Sequence, residues 1–193
     1  MSETIDRFLP EADVRERWEA VVHAPAWLLF DVAEHFEIES IPLVRAIFWL
    51  RAKLLGGRYE RLHRGLVEET LEIGWGRLAS TPGRELVMGS VTQPWFGDVK
   101  FRALPPRDFV AFQEPDQVKI VWTIEAEPLG PDVARFRTQT RVLAIGQEAR
   151  QKFRIYWRKF GVGIRLIRWL VVPAVKREAE RRFRSMSLTP RTT

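Results

Sequence analysis

Residues 117–144 read QVKIVWTIEAEPLGPDVARFRTQTRVLA, and residues 147–184 read QEARQKFRIYWRKFGVGIRLIRWLVVPAVKREAERRFR. In the first stretch every second residue falls on one face. Val118, Ile120, Trp122, Ile124 and Ala126 share a side, then Ala134, Phe136, Thr138, Thr140 and Val142 do so against Arg135, Arg137, Gln139 and Arg141. That period marks half-buried strands. Pro128-Leu-Gly-Pro-Asp132 supplies the hairpin loop between them, and an antiparallel meander with one wet face accounts for the alternation. In the second stretch the period changes. Phe153, Tyr156, Trp157, Phe160, Ile164, Ile167, Val171 and Ala174 recur at three and four, with Lys and Arg over much of the remainder. A long helix with a wide apolar stripe is predicted.

As one piece, 147–184 would run about 57 Å at 1.5 Å per residue, against a body roughly 40 Å across for a chain of this length. Pro173 removes an internal hydrogen bond, and Gly161 and Gly163 form a second weak point. Pro173 is therefore expected to break or kink the helix, residues 147–172 to pack on the sheet, and 174–184 to turn aside or project. The expected organisation is a domain over 1–172 and a basic helical extension and tail over 173–193.

Toward the N-terminus, 13–23 alternate with Val14, Trp18, Ala20 and Val22 on one side and Arg15, Arg17 and Glu19 on the other, a strand. Pro25 opens a short helix over 26–36. Ser40 caps a second helix whose apolar face is Leu43, Ile47, Leu50 and Leu54, and Gly56-Gly57 stops it. Residues 58–72 read as loop or short helix. Strands are predicted at 73–80, 84–92 and 98–103, with Thr81-Pro82-Gly83 turning the first pair, and a helical turn at 107–113.

Composition excludes several chemistries. The 193 residues contain no cysteine, so disulfides, zinc–thiolate sites, iron–sulfur clusters and thiol nucleophiles are absent. Three histidines leave little for a metal site, and neither metal nor cofactor is expected. With 46% apolar and 29% charged residues the chain is ordinary globular material. Every apolar stretch is interrupted by charge well short of the ~20 residues a membrane span needs. The acidic, mixed N-terminus is no secretory signal, so a cytoplasmic address is expected. Residues 1–144 carry a net charge of −4 and residues 145–193 a net charge of +10. Phosphate-bearing partners are therefore expected at the C-terminal end, if anywhere. An anionic membrane surface met by Arg165, Arg168, Lys176, Arg177, Arg181 and Arg182 is preferred there to nucleic acid.

One strand, two helices, several antiparallel strands and a long C-terminal helix is a distinctive order. His23-Ala-Pro-Ala-Trp-Leu-Leu-Phe-Asp-Val32 resembles the strand–helix junction of the SRPBCC superfamily, the helix-grip proteins that include START lipid-transfer domains, pollen-allergen-like proteins and polyketide cyclases. Trp122 through Gly130 with Thr138-Gln-Thr-Arg-Val142 resembles the family's penultimate hairpin and last strand. The helix carrying Phe153 and Trp157 is the third match. The resemblance covers about 12–172. It implies an α+β helix-grip fold, a curved antiparallel sheet around the C-terminal helix, with a cavity between them for an apolar or amphipathic molecule of lipid or polyketide type.

On that fold the cavity-facing residues would be Trp75, Met88, Trp122, Phe136, Thr138, Thr140, Phe153 and Trp157, mostly apolar walls with a few hydroxyl and indole N–H groups. Trp18, Trp27, Trp49 and Trp95 are less easily aimed inward. No nucleophile elbow, metal-binding helix or phosphate loop is present. Asp31 and His35, four apart, read as a surface ion pair; His23 and His63 lack spaced partners. Binding or carriage is thus favoured over a cyclase- or hydratase-like reaction in the same space.

Overall fold

The computed structural model describes residues 4–59 and 64–188; His63 and the tail beyond 188 lie outside them. After a 3-10 turn at Thr4–Arg7, the chain forms β1 (Val14–Val22), α1 (Ala26–His35), α2 (Pro42–Leu55) and α3 (Leu66–Glu72). Next come β2 (Gly76–Thr81), β3 (Glu85–Thr92), β4 (Phe101–Arg102), α4 (Pro106–Ala111), β5 (Gln117–Gly130), β6 (Val133–Ile145) and α5 (Gln147–Leu188). The sheet is antiparallel in the order β1-β6-β5-β3-β2, with β4 against the end of β3. It curves around α5, and the arrangement is a helix-grip.

Register sorts the side chains into rows. Glu16, Thr140, Trp122 and Met88 line up across four strands, and Trp18, Thr138, Ile124 and Leu86 form the next row on the same face. That inner face carries the main core, in which Met88, Trp122, Ile124 and Phe136 meet Leu28, Leu29 and Val32 of α1 and Val171, Val175 and Ala179 of α5. A second inner cluster joins Val118, Val142 and Ala144 to Ala149, Phe153 and Tyr156.

The opposite face is not the wet surface that the alternation predicts. Ile5, Phe8 and Leu9 from the N-terminus and Phe109 and Phe112 from the α4 region cover Val87, Val91 and Val121. Polar side chains beneath this cover are buried with partners. Arg141 donates to the Leu9 carbonyl at 2.9 Å and to Asp6 at 2.6 Å. Lys119 donates to the Val110 carbonyl at 3.0 Å, and burial lowers its pKa.

Two further expectations fail, each for a local reason. The second helix begins at Pro42, with Ile41 rather than Ser40 at its N-cap; Ser40 instead closes a 3-10 turn, its hydroxyl donating to Glu37 O at 2.6 Å. The stripe Leu43, Leu50 and Leu54, predicted as the buried face of α2, is exposed, and the helix packs through Val44, Ala52 and the half-buried Phe48 and Leu55.

No break interrupts the helix at Pro173. α5 is one helix of 42 residues, about 63 Å at its ordinary rise. Pro173 and Trp169 are both exposed, so water can donate to the Trp169 carbonyl that loses its helical donor. Val171, Val172, Val175 and Ala179 are buried on the other side, and their burial offsets the proline's cost. Residues 173–179 therefore lie on the body instead of turning aside. Gly146, at φ 87°, makes the tight turn from β6 into this helix. Val175→Ala should cost about 2 kcal/mol in urea denaturation, from two lost methyls and a residual cavity. In a segment projecting from the body the same change would stay within about 0.5 kcal/mol.

Candidate functional site

The sheet and α5 place all eight predicted cavity residues on or beside the inner face, six of them split between two packed clusters. Met88, Trp122 and Phe136 are buried in the main core. Trp75, immediately before β2, is half-buried, 5.3 Å from the Phe101 ring and edge-on to Trp122 at 6.4 Å. Phe153 and Trp157 belong to the second cluster, their rings 5.7 Å apart. Thr138 and Thr140 lie between the two groups on β6, the first buried and the second half-buried.

What joins the clusters is polar. Arg168 reaches inward from α5, its two terminal nitrogens donating to Thr138 Oγ1 at 2.7 Å and Thr140 Oγ1 at 2.8 Å. Burial pushes its guanidinium down to about 10, against the opposing pull of Glu16. It therefore stays charged at neutral pH. Glu16, on β1 opposite Thr140, accepts a hydrogen bond from Arg165 Nε at 2.8 Å. Trp18, opposite Thr138, has a buried indole Nε1 with no hydrogen-bond partner among the described residues, and so has Trp95 beside the second cluster. A buried N–H without an acceptor costs about 1–3 kcal/mol. Such a group marks a place where an incoming oxygen would be stabilised.

Sequence reasoning placed Arg168 on an outer basic surface and set Trp18 and Trp95 apart from the cavity. Both signals were present. Arg168 follows Trp157 and Ile164 by eleven and four residues, in phase with the apolar stripe, and Glu16 sits on the Trp18 side of β1. Most of the other cations expected at the surface are engaged with the protein itself. Lys176 donates to the Val21 carbonyl at 2.8 Å. Arg181 and Arg182 hydrogen-bond Glu178, Arg181 more strongly, and hold that carboxyl down at about 2. Asp31 and His35 form the expected surface contact at 3.3 Å.

Two surface concavities lie elsewhere. One of about 550 Å³ is ringed by Pro25, Trp27, Pro82, Pro128 and Pro131 at the turn end of the sheet. The other, about 390 Å³, is bounded by Val91, Phe96, Lys100 and Gln117. Neither is lined by any of the eight predicted residues. Among the described residues no cluster of His, Asp and Glu could hold a metal, and no helix is long and apolar enough to cross a membrane.

One further carboxyl is perturbed. Burial, then Glu39 and Glu72, push Glu69 of α3 up to about 7. Below its ordinary value of 4.5 it is protonated both folded and unfolded and has no effect on stability. As pH rises toward 7 the unfolded chain ionises first, so the folded state loses stability, fully so above 7. Glu69→Gln should raise unfolding free energy at pH 8 by on the order of 1 kcal/mol, allowing for solvent screening of this half-exposed group, and leave it unchanged at pH 4.

No protein-family model matches the chain. No curated protein matches it. Among solved structures, the crystal structure of Zhui aromatase/cyclase from Streptomyces sp. R1128 is 14% identical, over 88% of this chain and 94% of that one, with a TM-score of 0.31.

Proposed function

We propose that this protein binds an amphipathic small molecule between the sheet and α5, with an oxygen of the ligand held by Arg168 and the indole N–H of Trp18. The carrying observation is the inward guanidinium on two threonine hydroxyls, one strand away from a buried indole that lacks an acceptor. Apolar clusters on both sides would receive the body of such a ligand. Entry is expected over the middle of α5, where Ile164, Leu166, Ile167 and Leu170 are only half-buried and Gly161 and Gly163 loosen the helix. The function is binding or carriage, with Met88, Trp122, Thr140 and Trp157 bordering the ligand.

A cyclase- or hydratase-like reaction in the same space is the second reading. Glu16 favours it, being a carboxylate on the inner face and so a group able to accept a proton.

Native mass spectrometry of the freshly purified chain should reveal a co-purified apolar mass. Titration with 1-anilinonaphthalene-8-sulfonate should saturate and quench tryptophan emission. Arg168→Met should weaken that uptake about tenfold, the equivalent of one charged hydrogen bond. A clean apo mass together with non-saturable probe binding would contradict the proposal.

A further inference from the structure

α2 lies antiparallel against α5. Leu55 packs on the Phe153–Tyr156 cluster. Arg51 Nε donates to the Tyr156 hydroxyl at 3.2 Å. Ile47 fits against Gly163, where a Cβ would stand 3.3 Å from its Cγ2. On the outer side of this seam both helices expose apolar side chains at helical spacing. On α2, Leu43, Leu50 and Leu54 follow Ile47 at −4, +3 and +7, and Leu54 is 64% exposed. On α5, Ile155, Val162 and Trp169 share one line with Lys159, Val162 at 70% and Trp169 at 59% exposed. Isolated exposed apolar residues are ordinary, but two adjoining stripes make a patch of the kind that marks an interaction site.

Charge identifies the occupant. Residues 42–55 hold Arg45, Arg51 and Lys53 and no acidic residue. Residues 149–177 hold nine Lys and Arg and again no acidic residue, although Arg168 faces the sheet and Arg150, Lys152, Arg165 and Lys176 are held by Asp13, Asp116, Glu16 and the Val21 carbonyl. Arg154, Arg158 and Lys159 are exposed beside the apolar line. A second copy laid on this face would oppose like charges, with no carboxylate in either stretch to relieve them. An anionic bilayer satisfies both features, because apolar side chains enter the acyl boundary, a tryptophan sits at headgroup level and Lys and Arg meet lipid phosphate.

We infer that the outer seam of α2 and α5 is a docking surface for an anionic lipid bilayer. This surface is distinct from the C-terminal segment 176–182, whose cations are largely tied to Glu178, Glu180 and the Val21 carbonyl. It does not depend on a ligand in the grip.

The test is co-sedimentation of the full chain with vesicles of phosphatidylcholine, with and without phosphatidylglycerol. Binding is expected to the mixed vesicles and at least tenfold weaker to phosphatidylcholine alone. Leu50→Glu with Val162→Glu should abolish it, Leu50→Ser with Val162→Ser should weaken it, and Lys159→Glu should weaken it further at low salt. All these side chains face solvent, so thermal unfolding followed by circular dichroism should be unchanged. Arg181→Glu with Arg184→Glu should leave binding intact. Equal binding to both vesicle types, indifference to the seam variants, or loss on changing Arg181 and Arg184 alone would overturn the inference. So would a chain that dimerises through the seam, as shown by seam variants becoming monomeric, and ignores vesicles.

Discussion

Burial of α5 at two separated places is the constraint on which the molecule rests. Phe153 and Tyr156 anchor its first turns on β5 and β6, and Val171, Val175 and Ala179 anchor its later turns beside α1. A helix held at only one point would be free to tilt from the sheet. Held at two, it must cross the inner face in between, and the charged side chain it turns toward the sheet there is Arg168. The threonine hydroxyls, with the Glu16 carboxylate nearby, compensate the charge held under the helix. Packing and polarity are therefore one problem: the apolar anchors bring the guanidinium inward, and the guanidinium requires Thr138 and Thr140 where they stand.

The same geometry explains the closed outer face. An inner face occupied by α1 and α5 leaves Val87, Val91 and Val121 uncovered on the other side, and the N-terminal turn with α4 fills that need. Gly89 permits the approach, since a Cβ there would meet Leu78 and Phe109. The sheet thus has two cores. Only the inner one combines apolar walls with an inward cation, an inward carboxylate and an unpartnered indole donor, which is why recognition chemistry is assigned there.

The strands and their faces were legible in the sequence because a period of two leaves little ambiguity over 133–145, where Phe136 and Thr138 alternate with Arg135 and Arg137. Contacts dependent on tertiary context were not. The outer face of β6 looks solvated from its arginines, yet Arg141 is buried because a segment over 130 residues away covers it. On α2, Leu43, Leu50 and Leu54 outrank Arg51 by hydropathy, but the helix turns Arg51 toward Tyr156 and leaves the leucines outside. Pro173 was read from its local cost and from helix length against body width, without the burial of Val171, Val172 and Val175 around it. Of the proposed site, Thr138, Thr140, Trp122 and Trp157 came from pattern. Arg168 and Trp18 needed register, because charge at a helix position defaults to solvent and an indole's lack of an acceptor is visible only in three dimensions.

The most direct measurement is a double-mutant cycle between Arg168→Met and Thr138→Val, read by urea denaturation at neutral pH. If the guanidinium is held inward on that hydroxyl, the two changes should be non-additive, with a coupling of about 1–2 kcal/mol. Additive effects within about 0.3 kcal/mol would mean that Arg168 points to solvent, and the account of the inner face would fall with it.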